Sequence, residues 1–404
     1  MKFYWPTYSE NWRDVIDAIL STSPFTPFHP DVLSFLQNFS KMILKDHSYR
    51  RFPELIALAY WLRKSHLTEM KELFIKRIDG RIIRPRGVAL HFAPSNVDTI
   101  FVYSWVLSML AGNSNILRIS SRQQEQTELL VKTIRKCLEM QEHQEVAKRT
   151  AIVTYEHNNQ ITQYLSERCH IRVIWGGDET VKAIRSIPLA PLATELAFPD
   201  RFSLSVIKAS SVLEADDESF DKLIHHFYND GFWFTQMACS SPRLITWIGD
   251  KEHIELAQQR FWSKLGDYLN YNQYDRSPAL QVQKLATGYF LSSQEKTVTF
   301  HQQPYFSRLK ITEIDSEIRE RHCGGGLFME LELSQLEDLT AFLNDKDQTL
   351  SYFGFTYKEL IDFVDKLKNR SIDRIVPIGQ ALNFEGVWDG LDLLMHFTRE
   401  IVVR

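Results

Sequence analysis

The sequence lacks the short motifs that would assign its chemistry at once. It has four cysteines, and their spacing matches neither paired metal ligands nor the framework of a disulfide-rich domain. It contains no G-x-S-x-G elbow of a serine hydrolase and no G-x-G-x-x-G dinucleotide fingerprint. We therefore predict free thiols, no metal site and no Ser-His-Asp machinery.

Charge and hydropathy argue against two further classes of protein. Acidic residues number 51 and basic residues 47, and the two signs are interspersed, so the chain offers no basic stripe to nucleic acid. No apolar stretch reaches the roughly 18 residues of a membrane-spanning helix. The first residues, MKFYWPTYSENW, lack the pattern of a secretory signal. We expect a cytoplasmic protein with no membrane span and no nucleic-acid partner.

Strands and helices alternate along most of the chain. Residues 1–80 are predicted to form a helical N-terminal segment, because apolar residues recur there at helical spacing. From Gly87 the strand GVALHFA, the helix TIFVYSWVLSMLAG and the strand NILRIS begin a series of β-α-β units. This alternation predicts an α/β fold with a parallel sheet in a Rossmann-like layout.

The length of 404 residues and the hydrophobic content of 44% predict two domains. We place a Rossmann-like cofactor-binding domain at 81–200, to which residues 371–404 return, and a second α/β domain at 201–370. The stretch 281–314 is mixed and β-leaning, and it receives no assignment.

One cysteine lies in a segment of unusual composition, GFWFTQMACSSPRLITWIG. Small residues flank Cys239, so a ligand could approach its thiol closely. Pro242 suits the first turn of a helix, and a helix beginning there would lower the pKa of the thiol through its dipole and exposed N–H groups. The alternative is a small buried side chain, which is the common role of a free cysteine and fits Cys137 and Cys169.

Two predicted strands are followed by candidate binding groups. Asn96, in the turn of HFAPSNVDTIF, could donate its amide to a developing oxyanion, or it could cap the next helix. Gly176 and Gly177, in IRVIWGGDETV, could let the backbone approach a nucleotide, or they could form an ordinary strand-to-helix turn.

A third predicted strand, NILRISSR, ends in two guanidinium groups and two hydroxyls. Arg118, Ser120, Ser121 and Arg122 would suit a phosphate monoester such as the 2′-phosphate of NADP. The alternative is a solvated strand end.

The segment RHCGGGLFME raises two further hypotheses. Its three glycines could form a flexible loop or a backbone nest that binds an anion. His322 beside Cys323 could suggest a metal site or a catalytic dyad, but no further ligands lie nearby in the sequence, which argues against it.

Seven segments, in order, resemble the LuxC-type acyl-CoA reductases, a branch of the aldehyde dehydrogenase superfamily: APSNVDT, GNSNILRIS, WGGDETV, FPDRFSLSVI, TQMACSSP, QTLSYFGF and RIVPIGQALNFEGVWDG. The resemblance runs from about Tyr49 to the C-terminus. It implies an aldehyde dehydrogenase-like fold, in which a Rossmann-like cofactor domain accompanies an α/β catalytic domain that carries the cysteine.

The resemblance also implies roles for individual residues. Cys239 would be the nucleophile that accepts the acyl group, Asn96 would help bind the oxyanion, and Arg118 and Gly176 would contact the cofactor. The implied reaction is the NADPH-dependent reduction of an acyl thioester to an aldehyde, with NADH also possible. The implied partners are an acyl-CoA or acyl-protein donor, an acyl-protein synthetase and further copies of the same chain.

The sequence departs from the wider superfamily where hydrolytic members carry a glutamate general base. Anchoring the match on the strand SLSVI puts Ala197 in that place, which would leave water poorly activated. Anchoring it on the pair at positions 195 and 196 would keep a glutamate, Glu195. A glutamate at this place would favour one alternative function, the oxidation of an aldehyde by an aldehyde dehydrogenase. A second alternative function is that of a non-catalytic scaffold that binds the acyl donor.

A long acyl chain would need an apolar tunnel. Four aromatic residues are candidates for its wall: Trp105, Phe232, Trp233 and Phe234. The alternative is that they belong to ordinary hydrophobic cores.

Overall fold

The computed structural model describes residues 1–7, 11–94, 99–121, 125–272, 274 and 277–404. The chain divides into two units by its internal contacts: Met1–Asp200 together with Phe384–Arg404, and Arg201–Asn383. Both units are built on largely parallel sheets with connecting helices, so the predicted α/β class is confirmed.

Up to residue 198, the strands of the first unit are β1 (Lys2–Trp5), β2 (Ile82–Pro85), β3 (Val88–Phe92), β4 (Ser114–Arg118), β5 (Thr150–Thr154), β6 (Ile171–Trp175) and β7 (Thr194–Phe198). Six of them form one sheet in the order β1-β5-β4-β3-β6-β7. Strand β1 is antiparallel to β5, and the other neighbours are parallel. The order reverses between β3 and β6, which is the topological switch point where doubly wound sheets open a crevice at the carboxyl ends of their strands.

The predicted helical N-terminal segment contains the helices α1 (Trp12–Leu20), α2 (Pro30–Lys45), α3 (Pro53–Trp61) and α4 (Lys64–Arg77). The helices that connect the strands are α5 (Ile100–Leu110), α6 (Glu125–Leu138), α7 (Gln144–Ala147), α8 (Asn159–Ser166) and α9 (Asp178–Arg185). Short 3₁₀ helices cover His47–Arg51 and Gln141–His143. Every residue of α5 is buried, as its apolar sequence IFVYSWVLSML requires of a helix without a polar face.

The described part of the second unit contains seven strands: β8 (Phe202–Lys208), β9 (Pro242–Ile248), β10 (Thr297–Gln302), β11 (Ser307–Ile311), β12 (Leu327–Leu333), β13 (Asp347–Phe353) and β14 (Arg374–Pro377). They form one sheet in the order β10-β11-β12-β9-β8-β13-β14, in which only β10 runs antiparallel to its neighbour. Residues 371–383, which the sequence placed with the first unit, lie in the second because β14 pairs with β13.

Helices cover both faces of this sheet: α10 (Ala209–Glu214), α11 (Asp217–Phe232), α12 (Lys251–Tyr271), α13 (Pro278–Ser292), α14 (Ser316–Arg321) and α15 (Tyr357–Val364). Short 3₁₀ helices cover Trp233–Gln236 and Leu336–Ala341. Strand β9 alternates between two cores, because Leu244 packs into one hydrophobic cluster and Ile245 and Trp247 into the other. Burial on both faces is the usual condition of a parallel sheet.

The C-terminal segment returns to the first unit as β15 (Val387–Trp388), β16 (Leu391–Asp392), α16 (Leu393–His396) and β17 (Thr398–Ile401). Strand β17 pairs antiparallel with β2. The hydroxyl of Tyr103 donates to the carbonyl of Glu385 at 2.5 Å, and the amide of Asn113 donates to the carbonyl of Phe397 at 3.0 Å. Within the described residues, no helix is long and apolar enough to cross a membrane.

Candidate active site

The four cysteines differ in exposure. Cys137, Cys169 and Cys323 are buried, whereas Cys239 is partly exposed, and none forms a disulfide. Burial raises the pKa of Cys137 and of Cys169 to about 12 and also raises the pKa of Cys323. Because the thiolate is the nucleophilic form, burial suppresses the reactivity of these three thiols. Cys239 is therefore the cysteine best placed to meet a substrate.

Cys239 lies in a turn between the 3₁₀ helix Trp233–Gln236 and strand β9. Pro242 is the first residue of that strand, a position where its missing N–H is tolerated, so the predicted helix start is wrong. No helix dipole therefore acts on the thiol from Pro242.

The backbone before Cys239 is strained. Phe234, Thr235 and Gln236 have φ angles of 51°, 52° and 64°, which places three successive side-chain-bearing residues in the left-handed region. Each such residue costs roughly 1–2 kcal/mol relative to the right-handed conformation. Contacts outside the segment must offset this strain, because short stretches of this kind persist only where their surroundings determine them.

The side chain of Gln236 supplies much of that support. It is fully buried and donates its amide to the carbonyls of Pro242 at 2.9 Å and Leu327 at 3.1 Å. Its amide oxygen accepts from the N–H of Gly326 at 2.9 Å. These three bonds tie the two ends of the cysteine loop, Gln236 and Pro242, to each other and to the start of β12.

The three glycines at 324–326 support the same loop. Their φ angles are 71°, 68° and 81°, and a Cβ on Gly324 would lie 2.6 Å from the sulfur of Met237. Their N–H groups donate internally: Gly325 to the carbonyl of Thr235 at 2.8 Å, and Gly326 to Gln236. The hypothesis of an anion-binding nest is therefore wrong, since these donors already hold the cysteine loop.

His322 also serves this loop. Its Nε2 donates to the carbonyl of Leu327 at 2.7 Å, and its Nδ1 accepts from the N–H of Gly324 at 3.0 Å. This pattern requires the neutral ring, and burial lowers the pKa of His322 to about 3. Across the described residues, no three His, Cys, Asp or Glu side chains gather as a set of metal ligands.

A further residue, which the sequence did not single out, holds Cys239 directly. The hydroxyl of Ser203, at the start of β8, donates to the carbonyl of Cys239 at 2.6 Å and accepts from the N–H of Thr349 at 3.3 Å. Ser203 is fully buried. The polar Gln236 inside the apolar run FWFTQMAC was a visible signal of a buried hydrogen bond, whereas Ser203 gave none.

Two of the predicted site residues, Asn96 and Arg122, lie outside the described residues. Of the proposed tunnel residues, Trp105 is fully buried in the first unit, where it packs against Phe35, and Phe232 belongs to a core of the second unit. Both are therefore core residues and form no tunnel wall. Trp233 and Phe234 are partly exposed beside the cysteine loop.

The strand-end group lies in the first unit, at the carboxyl end of β4. The guanidinium of Arg118 donates to the carbonyl of Tyr155 at 3.2 Å and lies 5.6 Å from the centre of its ring. Ser120 is partly exposed and Ser121 exposed. The arrangement fits a nucleotide ribose or phosphate, because one guanidinium carries five donors and this bond uses one of them.

Gly176 and Gly177 follow β6 at the same edge of this sheet, and Gly177 is the N-cap of α9. A Cβ on Gly177 would lie 3.0 Å from the carboxylate of Asp200. That carboxylate accepts from the N–H of Asp178 at 3.1 Å, and Asp178 and Glu179 occupy the first turn of α9. Three acidic groups therefore surround this helix start, which does not fit a phosphate there. The residues at the end of β4 suit a nucleotide phosphate better, because they include a guanidinium.

Glu195 is engaged by two arginines of its own unit. In the register of β6 and β7 it lies opposite Arg172, whose Nε donates to it at 2.8 Å. Arg185 donates to its other oxygen at 2.7 Å. Ala197 lies two residues further along β7 on the same face. A carboxylate held in this way serves as a structural ion pair, and its lone pairs are directed at the arginines.

Comparison with known proteins places these features in context. The model of the acyl-CoA reductase (LuxC) family matches residues 81–400. No curated protein sequence matches the chain significantly.

Solved structures of aldehyde dehydrogenases share the fold. Aldehyde dehydrogenase 21 from Physcomitrella patens has a TM-score of 0.67 at 12% identity, with 97% of this chain and 90% of that chain covered. Methylmalonate-semialdehyde dehydrogenase from Oceanimonas doudoroffii has a TM-score of 0.64 at 12% identity, with 92% and 88% covered. A lactaldehyde dehydrogenase gives 0.64 at 12% identity, with 97% and 90% covered. At such low identity the likeness concerns the fold alone.

Proposed function

Since the chain belongs to the acyl-CoA reductase (LuxC) family, and is therefore an oxidoreductase that acts on an acyl or aldehyde group, we propose that it reduces an acyl thioester to an aldehyde with Cys239 as nucleophile. The cofactor we propose is NADPH, with NADH as a possible substitute. The observation that carries the proposal is the contrast among the cysteines: three are buried with raised pKa values, and Cys239 is presented in a strained loop.

The chemistry begins at the sulfur of Cys239. Its thiolate attacks the carbonyl carbon of the thioester, and the carbonyl π electrons move to oxygen to give a tetrahedral oxyanion. The oxyanion collapses, the bond between the carbonyl carbon and the donor's sulfur breaks, and the donor leaves as a thiolate, which gives an acyl-Cys239 thioester. The bond from Ser203 to the carbonyl of Cys239 supports the proposal, because a held backbone favours a fixed geometry of attack.

A bound reduced nicotinamide would supply the hydride that converts the acyl-Cys239 carbonyl to a hemithioacetal. Collapse of the hemithioacetal returns the sulfur of Cys239 and releases the aldehyde. Asn96 is proposed as a donor to the oxyanion in both stages, because an amide aimed at developing charge stabilises it.

The fate of the acyl group separates this function from that of an oxidising aldehyde dehydrogenase. Hydrolysis of acyl-Cys239 would need a base that activates water. The candidate acid, Glu195, is bound by Arg172 and Arg185. We infer that the acyl-enzyme survives long enough to be reduced.

The cofactor-binding residues are proposed from the first unit. Arg118, Ser120, Ser121 and Arg122 would hold the adenosine end, and the absence of an acidic residue from this set permits a 2′-phosphate. Gly176 and Gly177 would line the crevice at the switch point as small residues, without supplying a phosphate site at α9.

The proposed partners follow from the reaction. The donor is an acyl-CoA or an acyl group carried on a protein, and a synthetase could load such a carrier. Trp233 and Phe234 would contact the acyl chain, because they are partly exposed next to the cysteine loop. We also propose that the chain assembles into a homo-oligomer.

The test is NADPH oxidation with a series of acyl-CoAs from short to long chain, with aldehyde measured directly. Cys239→Ala should abolish turnover, whereas the matched variant Cys323→Ala, which removes a buried thiol, should retain it. NADH run in parallel measures cofactor preference. Normal turnover by Cys239→Ala would refute the nucleophile, and acid as the product in place of aldehyde would favour the oxidising dehydrogenase. Cofactor binding without turnover on any thioester would favour the scaffold.

A further inference from the structure

The side chain of Gln236 spans the loop that carries Cys239, from its first residue to its last. Its amide donates to the carbonyl of Pro242, six residues ahead, and to the carbonyl of Leu327 on the neighbouring strand β12. Its oxygen accepts from the N–H of Gly326. We name this set of three bonds the Gln236 clamp, and we propose that Gln236 is a positioning residue for Cys239.

Two backbone hydrogen bonds within the loop are local. The N–H of Ser241 donates to the carbonyl of Ala238 at 3.1 Å within the loop, and the N–H of Met237 donates to the carbonyl of Phe234 at 2.9 Å. Both bonds are local turns. The clamp links the loop to β12, as the hydroxyl of Ser203 links it to β8. It does so from a residue whose own φ of 64° is unfavourable without external support.

The partner loop is built to receive the clamp. Gly326, whose N–H donates to Gln236, has a φ of 81°, and a Cβ there would lie 3.0 Å from the carbonyl oxygen of Tyr305, so the position favours glycine. Gly325 donates to the carbonyl of Thr235, one residue before Gln236. The neutral ring of His322 fixes the other end of this loop through the carbonyl of Leu327, which also accepts from Gln236. Two loops at the start of neighbouring parallel strands thus determine one another's conformation.

The consequence for the reaction rests on the proposed function. A thiol that attacks a carbonyl must keep its distance and angle to the carbon, and small displacements reduce the rate strongly. Without the clamp, the turn that carries Cys239 would sample several conformations, so the chemical step should slow while the cofactor, which is assigned to the other unit, still binds.

The test uses the 404-residue protein with Gln236→Leu, which keeps the size of the side chain but loses all three bonds, and with Gln236→Glu, which keeps the acceptor for Gly326 but places an oxygen against the carbonyls of Pro242 and Leu327. The matched control is Trp262→Phe, which removes a buried bond of 2.7 Å to Glu330 in the same unit without touching the cysteine loop. Each variant is measured by amide hydrogen exchange, by thermal unfolding and by acyl-thioester turnover.

We expect exchange in the segments 237–241 and 325–327 to rise at least tenfold in Gln236→Leu, and kcat to fall at least tenfold while KM for NADPH stays within twofold. Gln236→Glu should shift both quantities in the same direction, and Trp262→Phe should lower the unfolding temperature without changing either. If loop exchange or kcat per folded molecule stays within twofold of wild type in both Gln236 variants, the positioning role is refuted. Should the wild-type protein turn over no thioester, the proposed function fails, and hydrogen exchange alone decides whether the clamp holds the loop.

Discussion

Replacing Glu195 by glutamine distinguishes a structural carboxylate from a catalytic one. The side chain of Arg172 is 3% exposed and that of Glu195 16% exposed, so the pair lies largely outside water. Removing one charge of a buried pair costs 3–5 kcal/mol. Arg172 keeps bonds to the hydroxyl of Ser166 at 3.1 Å and the carbonyl of Ile187 at 3.0 Å, so we take the lower end, about 3 kcal/mol. For a unit of this size the unfolding temperature should fall by roughly 6–12 °C.

The assay pairs thermal unfolding with aldehyde production at 25 °C, where the variant remains folded. The matched control is Glu179→Gln, whose carboxylate is 88% exposed and pairs with Lys182, and it should change stability by less than about 1 kcal/mol. We expect Glu195→Gln to lose stability and to keep its turnover. A hundredfold loss of aldehyde production at an unchanged unfolding temperature would refute the structural role and would give Glu195 a part in the reaction.

The remaining predictions concern thiol reactivity, cofactor choice and pH. Iodoacetamide at pH 8 should label one thiol per folded chain, at Cys239. A thiol whose pKa is about 12, such as that of Cys137 or Cys169, is ionised to a fraction of only ~10⁻⁴ at this pH. A second labelled site in peptide mapping would contradict this expectation. Ser121→Glu should raise KM for NADPH at least tenfold and leave KM for NADH within threefold, since a carboxylate repels the 2′-phosphate; equal effects on both cofactors in steady-state assays would exclude Ser121 from that site. Burial raises the pKa of Asp230 from 3.8 to about 7, so its contribution to stability is complete below pH 4 and is lost as pH rises toward 7. Urea unfolding at pH 4.5 and 7.5 should therefore show a decrease of about 3 kcal/mol in wild type that is missing in Asp230→Asn, and parallel pH dependences would show that Asp230 does not titrate in this range.

The sequence predicted the fold well because its signals are local. Strand and helix patterns alternate with the lengths that β-α-β units require, and the first sheet is parallel as predicted, except at its edge strand β1. The segment after Cys239 shows where local signals fail. Pro242 is compatible both with the first turn of a helix and with the first residue of a strand, and pairing with β8 and β12 decides for the strand.

The environment of Cys239 could be predicted only in part. The small residues on either side of Cys239 indicate that a ligand could reach its thiol, and they can be recognised within one short segment of the sequence. The bonds that hold the loop join Gln236 to Leu327 and Cys239 to Ser203, which are separated by 91 and 36 positions in the chain. Contacts of this kind follow from the order of strands in the sheet, and no pattern within either segment specifies them.

Two features of this chain, the hydrogen-bonded cysteine loop and the paired Glu195, would suit the proposed reduction of an acyl-enzyme. An acyl-enzyme that must be reduced needs a sulfur held firmly against the substrate and no activated water near it. The cysteine loop meets the first need through the Gln236 clamp and the bond from Ser203. The second need is served by Arg172 and Arg185, which bind the carboxylate of Glu195. Glu195 is the residue that the alternative sequence match would assign as the base that activates water. If both features act in this way, releasing Glu195 from Arg185 should leave aldehyde as the product, whereas loosening the cysteine loop should slow the formation of aldehyde. The two perturbations would then affect different steps of one reaction.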